Sequence, residues 1–208
     1  MTKEVFPGTC KDDRRGERLT EELGAWHKRR YNAFTLIELV LVVGIITVLA
    51  GLVLSTVGYA RKKGALARAE TEIAAISAAC ENYKADNGAY PRDAATTDIL
   101  DARTNVNPSS PSYGLTSLYL YTQLSGDPLG NRSPTGKSYM TFKPNMLYPA
   151  DQTQNVQYIQ DPFGYSYGYS TANQADPITP KGFNPTFDLW STAGGTTTND
   201  VPKWIKNW

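Results

Sequence analysis

Glu38 is the single carboxylate in the run NAFTLIELVLVVGIITVLAG, residues 32–51, where the other side chains are apolar, small or neutral. An ionised acid at the centre of a membrane-spanning helix costs ~2.5–3.5 kcal/mol, and less near the interface. Two readings of Glu38 follow. In the first turn of a helix the macrodipole favours an anion, and the side chain can reach water. Alternatively the carboxylate is kept for a positive partner that makes its burial tolerable. Residues suited to catalysis are sparse elsewhere. His27 is the sole histidine and precedes the apolar run, so beyond it no Ser/His/Asp, Cys/His or zinc arrangement exists. Glu70 and Glu72 point to different helix faces. The expectation is a protein that is not an enzyme. Asp127 in GDPLG and Asp161 in QDPFG read as turn anchors. Tyr165, Tyr167 and Tyr169 read as sheet core or sheet surface rather than a stacking platform for sugars or bases. Cys10 and Cys80 are too few for a disulfide framework, and Cys80 reads as a small buried hydrophobe.

The elements that must carry Glu38 are visible in the composition. Residues 1–33 are charged, lack periodicity and end near the basic cluster HKRR at 27–30, so they are set apart from the fold. From Leu39 to Val57 there are nineteen residues without a charge, about the length that crosses a ~30 Å hydrocarbon layer as a helix. The cluster at 27–30 places the N-terminus in the cytoplasm. Arg61, Lys62 and Lys63 follow the apolar run and weaken that orientation, or act as a headgroup anchor on the far side. Leu66, Ala69, Ile73, Ile76, Cys80 and Tyr83 are spaced 3, 4, 3, 4, 3, which puts them on one helix face. Glu70, Glu72, Glu81 and Lys84 are expected elsewhere on the helix surface. No proline lies between Phe34 and Tyr90, so one helix is predicted over about 35–86, roughly 75 Å long. Asn87-Gly88 and then Pro91 end it. Gly44 and Gly51 lie near one face of this helix. They either permit close helix contact and local loosening, or reflect the usual frequency of Gly in membrane helices.

The remainder is polar and loop-rich. Residues 92–155 hold six prolines, with a short helix predicted at Leu115–Leu124 and a short strand at Ser138–Phe142. Strands are predicted at Gln157–Gln160, through the alternating tyrosines 165–169, and at Phe187–Ser191. The fold class is α+β: one long N-terminal helix packed on a small antiparallel head with long loops. Its organisation is a leader over 1–33, a membrane or core helix over 34–58, an amphipathic continuation over 59–90 and a head over 91–208. A net charge of +1 over 208 residues argues against nucleic acid as a main partner.

The basic leader, the small residue Ala33, and then Phe34, Thr35, Leu36, Ile37, Glu38 and Leu39 resemble the class III signal of the type IV pilin superfamily. ENYKADNGAYP at 81–91, IQDPFGYSYGY at 159–169, FDLWSTAGG and the ending NW are similar to major pseudopilins of type II secretion systems. Residues 92–156 have no clear counterpart there. The resemblance implies that a prepilin peptidase cuts between Ala33 and Phe34 and that Phe34 becomes N-methylated. Ala33 stands where the family usually has Gly; both are small, so cleavage is expected. The cut creates an α-ammonium one turn from Glu38, and in a filament Glu38 pairs with the ammonium of a neighbouring subunit and sets axial register. The implied function is that of a structural pseudopilus subunit, a homopolymer built with an inner-membrane assembly platform and minor pseudopilins. The subunit crosses the bacterial inner membrane once, head in the periplasm, before entering the filament. Type IV pilus subunits for motility or adhesion are the near rival; a membrane-anchored glycan- or DNA-binding module is the distant one. Beyond residue 33 the chain has 13 basic and 14 acidic residues, so heads pack with little net repulsion. The family also implies a structural Ca²⁺ in the C-terminal loop. Here Gly194 and Gly195 stand where an acid is expected, leaving Asp200 and Asn199, with Thr hydroxyls and backbone carbonyls, as the hard oxygen ligands; the alternative is a Gly/Thr loop closed by its own hydrogen bonds.

Overall fold

The computed structural model describes residues 33–179 and 181–208. Residues 1–32, with Cys10, His27 and the cluster at 27–30, lie outside the described residues, and so does all but Ala33 of the leader expected over 1–33. The chain divides between Ala50 and Gly51 into two compact units.

The first helix, α1, is Leu36–Asn87. It matches the range predicted from the absence of proline, and it ends at Gly88, whose φ of 78° is the left-handed cap that stops a helix. Among the described residues it is the one helix long and apolar enough to cross a membrane. Within the first unit α1 is apolar around its circumference and exposed: Leu36 keeps 81% of its surface and Leu39 60%. Such a segment has no buried face of its own to define.

In the second unit the apolar side chains occur at helical spacing and are buried. Ala69, Ile73, Ile76, Ala79 and Cys80 enter the core, with Tyr83 half-buried beside them. The predicted short helix is present and longer, α2 at Pro111–Ser125, with Pro at its start where a missing N–H costs nothing. Its Leu120, Tyr121 and Leu124 join the same core.

Five short strands complete the head. β1 (Leu147–Tyr148) pairs antiparallel with β2 (Tyr158–Ile159), Leu147 opposite Ile159. β3 (Gly168–Ser170), β4 (Asp188–Ser191) and β5 (Ile205–Lys206) form a second antiparallel sheet in that order. A one-turn helix, α3 (Ala172–Ala175), follows β3. Ile159, Tyr167, Tyr169 and Leu189 face the α1–α2 side chains. Tyr167 and Tyr169 of the stripe are therefore core, and Tyr165 is half-buried. β3 is buried at every position, on both of its faces. The reason is a second cluster: Leu100, Ala102, Tyr113, Trp190 and Trp204. Gly168 sits opposite Trp190, and a Cβ at Gly168 would overlap the indole. The Trp190 Nε1–H donates to the Tyr113 hydroxyl at 3.0 Å, and Trp204 stacks on the indole at 5.9 Å.

Two expectations fail. Ser138–Phe142 is not a strand among the described elements. The amides of Tyr139 and Met140 both donate to the Leu124 carbonyl, which satisfies the end of α2 rather than a ladder. Glu72 is not on the surface: it is 8% exposed. The Tyr167 hydroxyl donates to its Oε2 at 2.8 Å and the Arg68 Nε–H to its Oε1 at 2.6 Å.

Candidate functional site

Thr35 immediately precedes α1, and its side chain closes the helix start on Glu38. The Glu38 N–H donates to Thr35 Oγ1 at 3.3 Å, while the Thr35 N–H and hydroxyl donate to Glu38 Oε2 at 2.9 and 2.8 Å. This reciprocal pair is a capping box, which satisfies two otherwise orphaned groups. In the sequence the signal for this cap is T-x-x-E at 35–38. The carboxylate is thus held at the N-terminal end of α1 against Thr35, the residue that follows Phe34, and Phe34 is 81% exposed. Ala33 is exposed as well. At Gly44 and at Gly51 an added Cβ meets nothing within 4 Å, so both positions leave backbone accessible. The Thr47 hydroxyl donates to the Gly44 carbonyl at 2.8 Å.

The C-terminal loop gives a different result. Asp200 lies in a 3-10 turn, Thr198–Lys203, and caps it reciprocally with Thr197. Asp200 Oδ2 accepts from the Thr197 hydroxyl at 2.8 Å, and Oδ1 accepts from the Lys203 ammonium at 3.0 Å. These contacts, the Thr197 hydroxyl first, hold its carboxyl down at about 2. Asn199 is exposed nearby. Calcium takes six to eight oxygens. A site with one carboxylate, already engaged by a hydroxyl and an ammonium, does not fit it. No group of three or more His, Cys, Asp or Glu suited to a metal occurs among the described residues.

Two buried acids, Asp161 and Asp127, are structural. Asp161 Oδ1 accepts from the Phe163 and Tyr165 amides at 3.0 and 2.8 Å and Oδ2 from the Ser191 hydroxyl at 2.5 Å, as its turn-anchor reading requires. Burial nonetheless pushes its carboxyl above the usual value. Buried Asp127 accepts from the Tyr121 hydroxyl and the Asn131 and Arg132 amides. Burial, and then the Glu72 charge, raise the Tyr167 phenol far above its ordinary range, so it acts as a donor. Cys80 is buried and free.

A capped, exposed apolar helix start on a chain that carries a small antiparallel head is consistent with a pilin-type subunit. Comparisons with known proteins sharpen the class. Residues 56–134 match the family described as type II secretion system protein G, and residues 28–54 match the prokaryotic N-terminal methylation motif; the first match overturns, for 92–134, the expectation that 92–156 has no counterpart there. The chain is 36% identical over 104 residues to the type II secretion system core protein G of Pseudomonas aeruginosa, a match that spans 50% of this chain and 72% of that protein. It is 34% identical over 86 residues to the protein of that name from Aeromonas hydrophila, covering 41% and 60% of the two chains. For Pectobacterium carotovorum the figures are 31% over 84 residues, 40% and 54%. No solved structure matches the chain significantly. The chain belongs to the protein G family of type II secretion systems.

Proposed function

We propose that this protein is the structural subunit of a pseudopilus and polymerises through α1 once the peptide bond between Ala33 and Phe34 is cut. The observation that supports it most is the exposed apolar start of α1 closed by Thr35 and Glu38, within the matched methylation motif. Cutting by a prepilin peptidase frees the α-amine of Phe34, and N-methylation keeps its positive charge. Glu38 then has a cation within a residue of its present donors. In a filament the same carboxylate pairs with the ammonium of the next subunit. Among packed apolar helices an unpaired charge is strongly destabilising and a paired one tolerable, so the pair selects a single axial register. Gly44 and Gly51 give neighbouring helices room to approach closely. The cluster at 27–30 keeps the N-terminus in the cytoplasm and leaves the head in the periplasm. An inner-membrane assembly platform and minor pseudopilins are the expected partners.

The test is the N-terminal residue of the protein in a sheared filament fraction, read by mass spectrometry. N-methylated Phe34 is expected; an intact leader in assembled protein refutes the processing step. A sheared fraction found on the cell surface in motile cells, without any effect on secretion, favours a pilus instead.

A further inference from the structure

Arg61, Lys62 and Lys63 play no part in the head. They are exposed, and the ion pairs among the described residues are Arg68–Glu72, Arg92–Asp98, Lys137–Asp86 and Lys203–Asp200. The nearest acid in sequence beyond them is Glu70, and Arg68 is already committed to Glu72 and to the Asn145 carbonyl. What precedes them is uncharged from Leu39 to Ala60. Twenty-two residues of helix rise about 33 Å, the thickness of a bilayer's hydrocarbon layer. Tyr59, 68% exposed, lies at the same end, with the Lys63 ammonium 5.7 Å from its ring centre.

Three consecutive helical residues point about 100° apart and differ in height by only about 3 Å along the axis. The cations therefore form a partial collar at one level, spread over about 200° of the helix surface. A protein partner docks on one side of a helix and would gather its counter-charges into a stripe. A charged plane pierced by the helix meets a collar. A tyrosine at the same level is the usual companion at a bilayer interface, and basic stems reach outward to headgroups from there.

We propose that Arg61, Lys62 and Lys63 bind the phosphates of anionic phospholipids in the leaflet on the head side of the membrane, and that Tyr59 sets the depth of that collar. The proposal rests on the membrane-anchored reading of α1. It adds a lipid-dependent hold on the stored subunit, because withdrawing the helix into a filament gives up those contacts.

The experiment uses the full chain in vesicles of phosphatidylcholine doped with phosphatidylglycerol, with spin-labelled forms of each lipid reporting which is immobilised at the protein surface. The comparison is with the triple variant Arg61→Gln, Lys62→Gln, Lys63→Gln. His27 to Arg30 remain in both proteins, so the difference belongs to the collar. Preference for phosphatidylglycerol is expected to fall by about fivefold or more in the variant, given the attraction of each basic side chain to an anionic surface. In the unmodified chain it is expected to fall with added salt. Equal preference in the two proteins, or a preference insensitive to salt, overturns the proposal. An unchanged lipid preference combined with lost filament assembly assigns the cations to an acidic neighbouring subunit and overturns it too. A chain that fails to float with the vesicles overturns the membrane reading along with it; a chain that floats without preferring the anionic lipid overturns the collar alone.

Discussion

The part of α1 from Leu36 to Leu54 and the part from Ala69 to Cys80 share one secondary structure and have opposite surroundings. In the first, Leu36 and Leu54 keep 81% and 76% of their surface; in the second, Ala69, Ile76 and Cys80 keep none. Helix propensity does not explain the contrast: the first part, rich in Leu, Val and Ile, and the second, built from Ala with Ile, Glu, Thr, Ser and Cys, are both helix. What separates them is how apolar residues are distributed around the axis. A one-sided stripe finds its partner inside the same chain; an apolar circumference needs one outside it. The two acids follow the same division. Glu38 is bonded only three residues away, to Thr35, whereas Glu72 is bonded to Tyr167, 95 residues away.

The contrast is breakable at several levels. The largest effect is expected at Glu38. Glu38→Ala should leave the chain membrane-inserted and its head melting unchanged, yet abolish filaments in a shearing assay; normal assembly would remove the register role. Next is the core stripe. Ile76→Ala should destabilise the head by about 2–5 kcal/mol, through lost burial and a residual cavity, in a denaturant melt of the full chain in detergent. Val42→Ala in the same melt should change stability by less than about 0.5 kcal/mol. Comparable losses at both positions would mean that the exposed part of α1 has an internal partner after all. Tyr167→Phe should cost about 1–3 kcal/mol by leaving buried Glu72 a donor short, whereas Glu70→Gln on the exposed face should cost nothing measurable.

Smaller still is the acid response of the C-terminal loop. Asp200 is held at about 2, below its ordinary 3.8. Its contribution is complete above that ordinary value and is lost as pH falls through about 2. Asp200→Asn should therefore flatten the melting midpoint over that window. Adding millimolar Ca²⁺ at neutral pH should leave the midpoint where it is. A rise would show that the Lys203 ammonium yields its place to the metal.

Much of this was legible before any coordinates, for identifiable reasons. The span of α1 followed from the missing prolines and the Asn87-Gly88 stop, and the buried face from its 3–4 spacing. Asp127 and Asp161 were placed because an Asx turn is a local device that involves residues two to five positions away. Errors arose where the partner is distant. Glu72 looked like surface because its own helix offers no clue to Tyr167. Ser138–Phe142 has the composition of a strand, but its amides are taken by the carbonyl at the end of α2. Tertiary demand overrode local preference in both cases. Thr35 is the opposite case: its bond to Glu38 is a local one, and T-x-x-E at 35–38 announces it.

The aromatic cluster around Trp190 has a practical consequence for following this protein in solution. Of the four tryptophans, Trp26 precedes the proposed cut and the others are Trp190, Trp204 and Trp208. In a chain that starts at Phe34 every indole lies in the last nineteen residues, around the closure of β4 against β5. Tryptophan emission of that form therefore reports on that corner alone. The far-ultraviolet dichroism of the same sample is dominated by α1. Coincident transitions would mark the subunit as one cooperative body; a separation would time the opening of the C-terminal sheet independently of the helix.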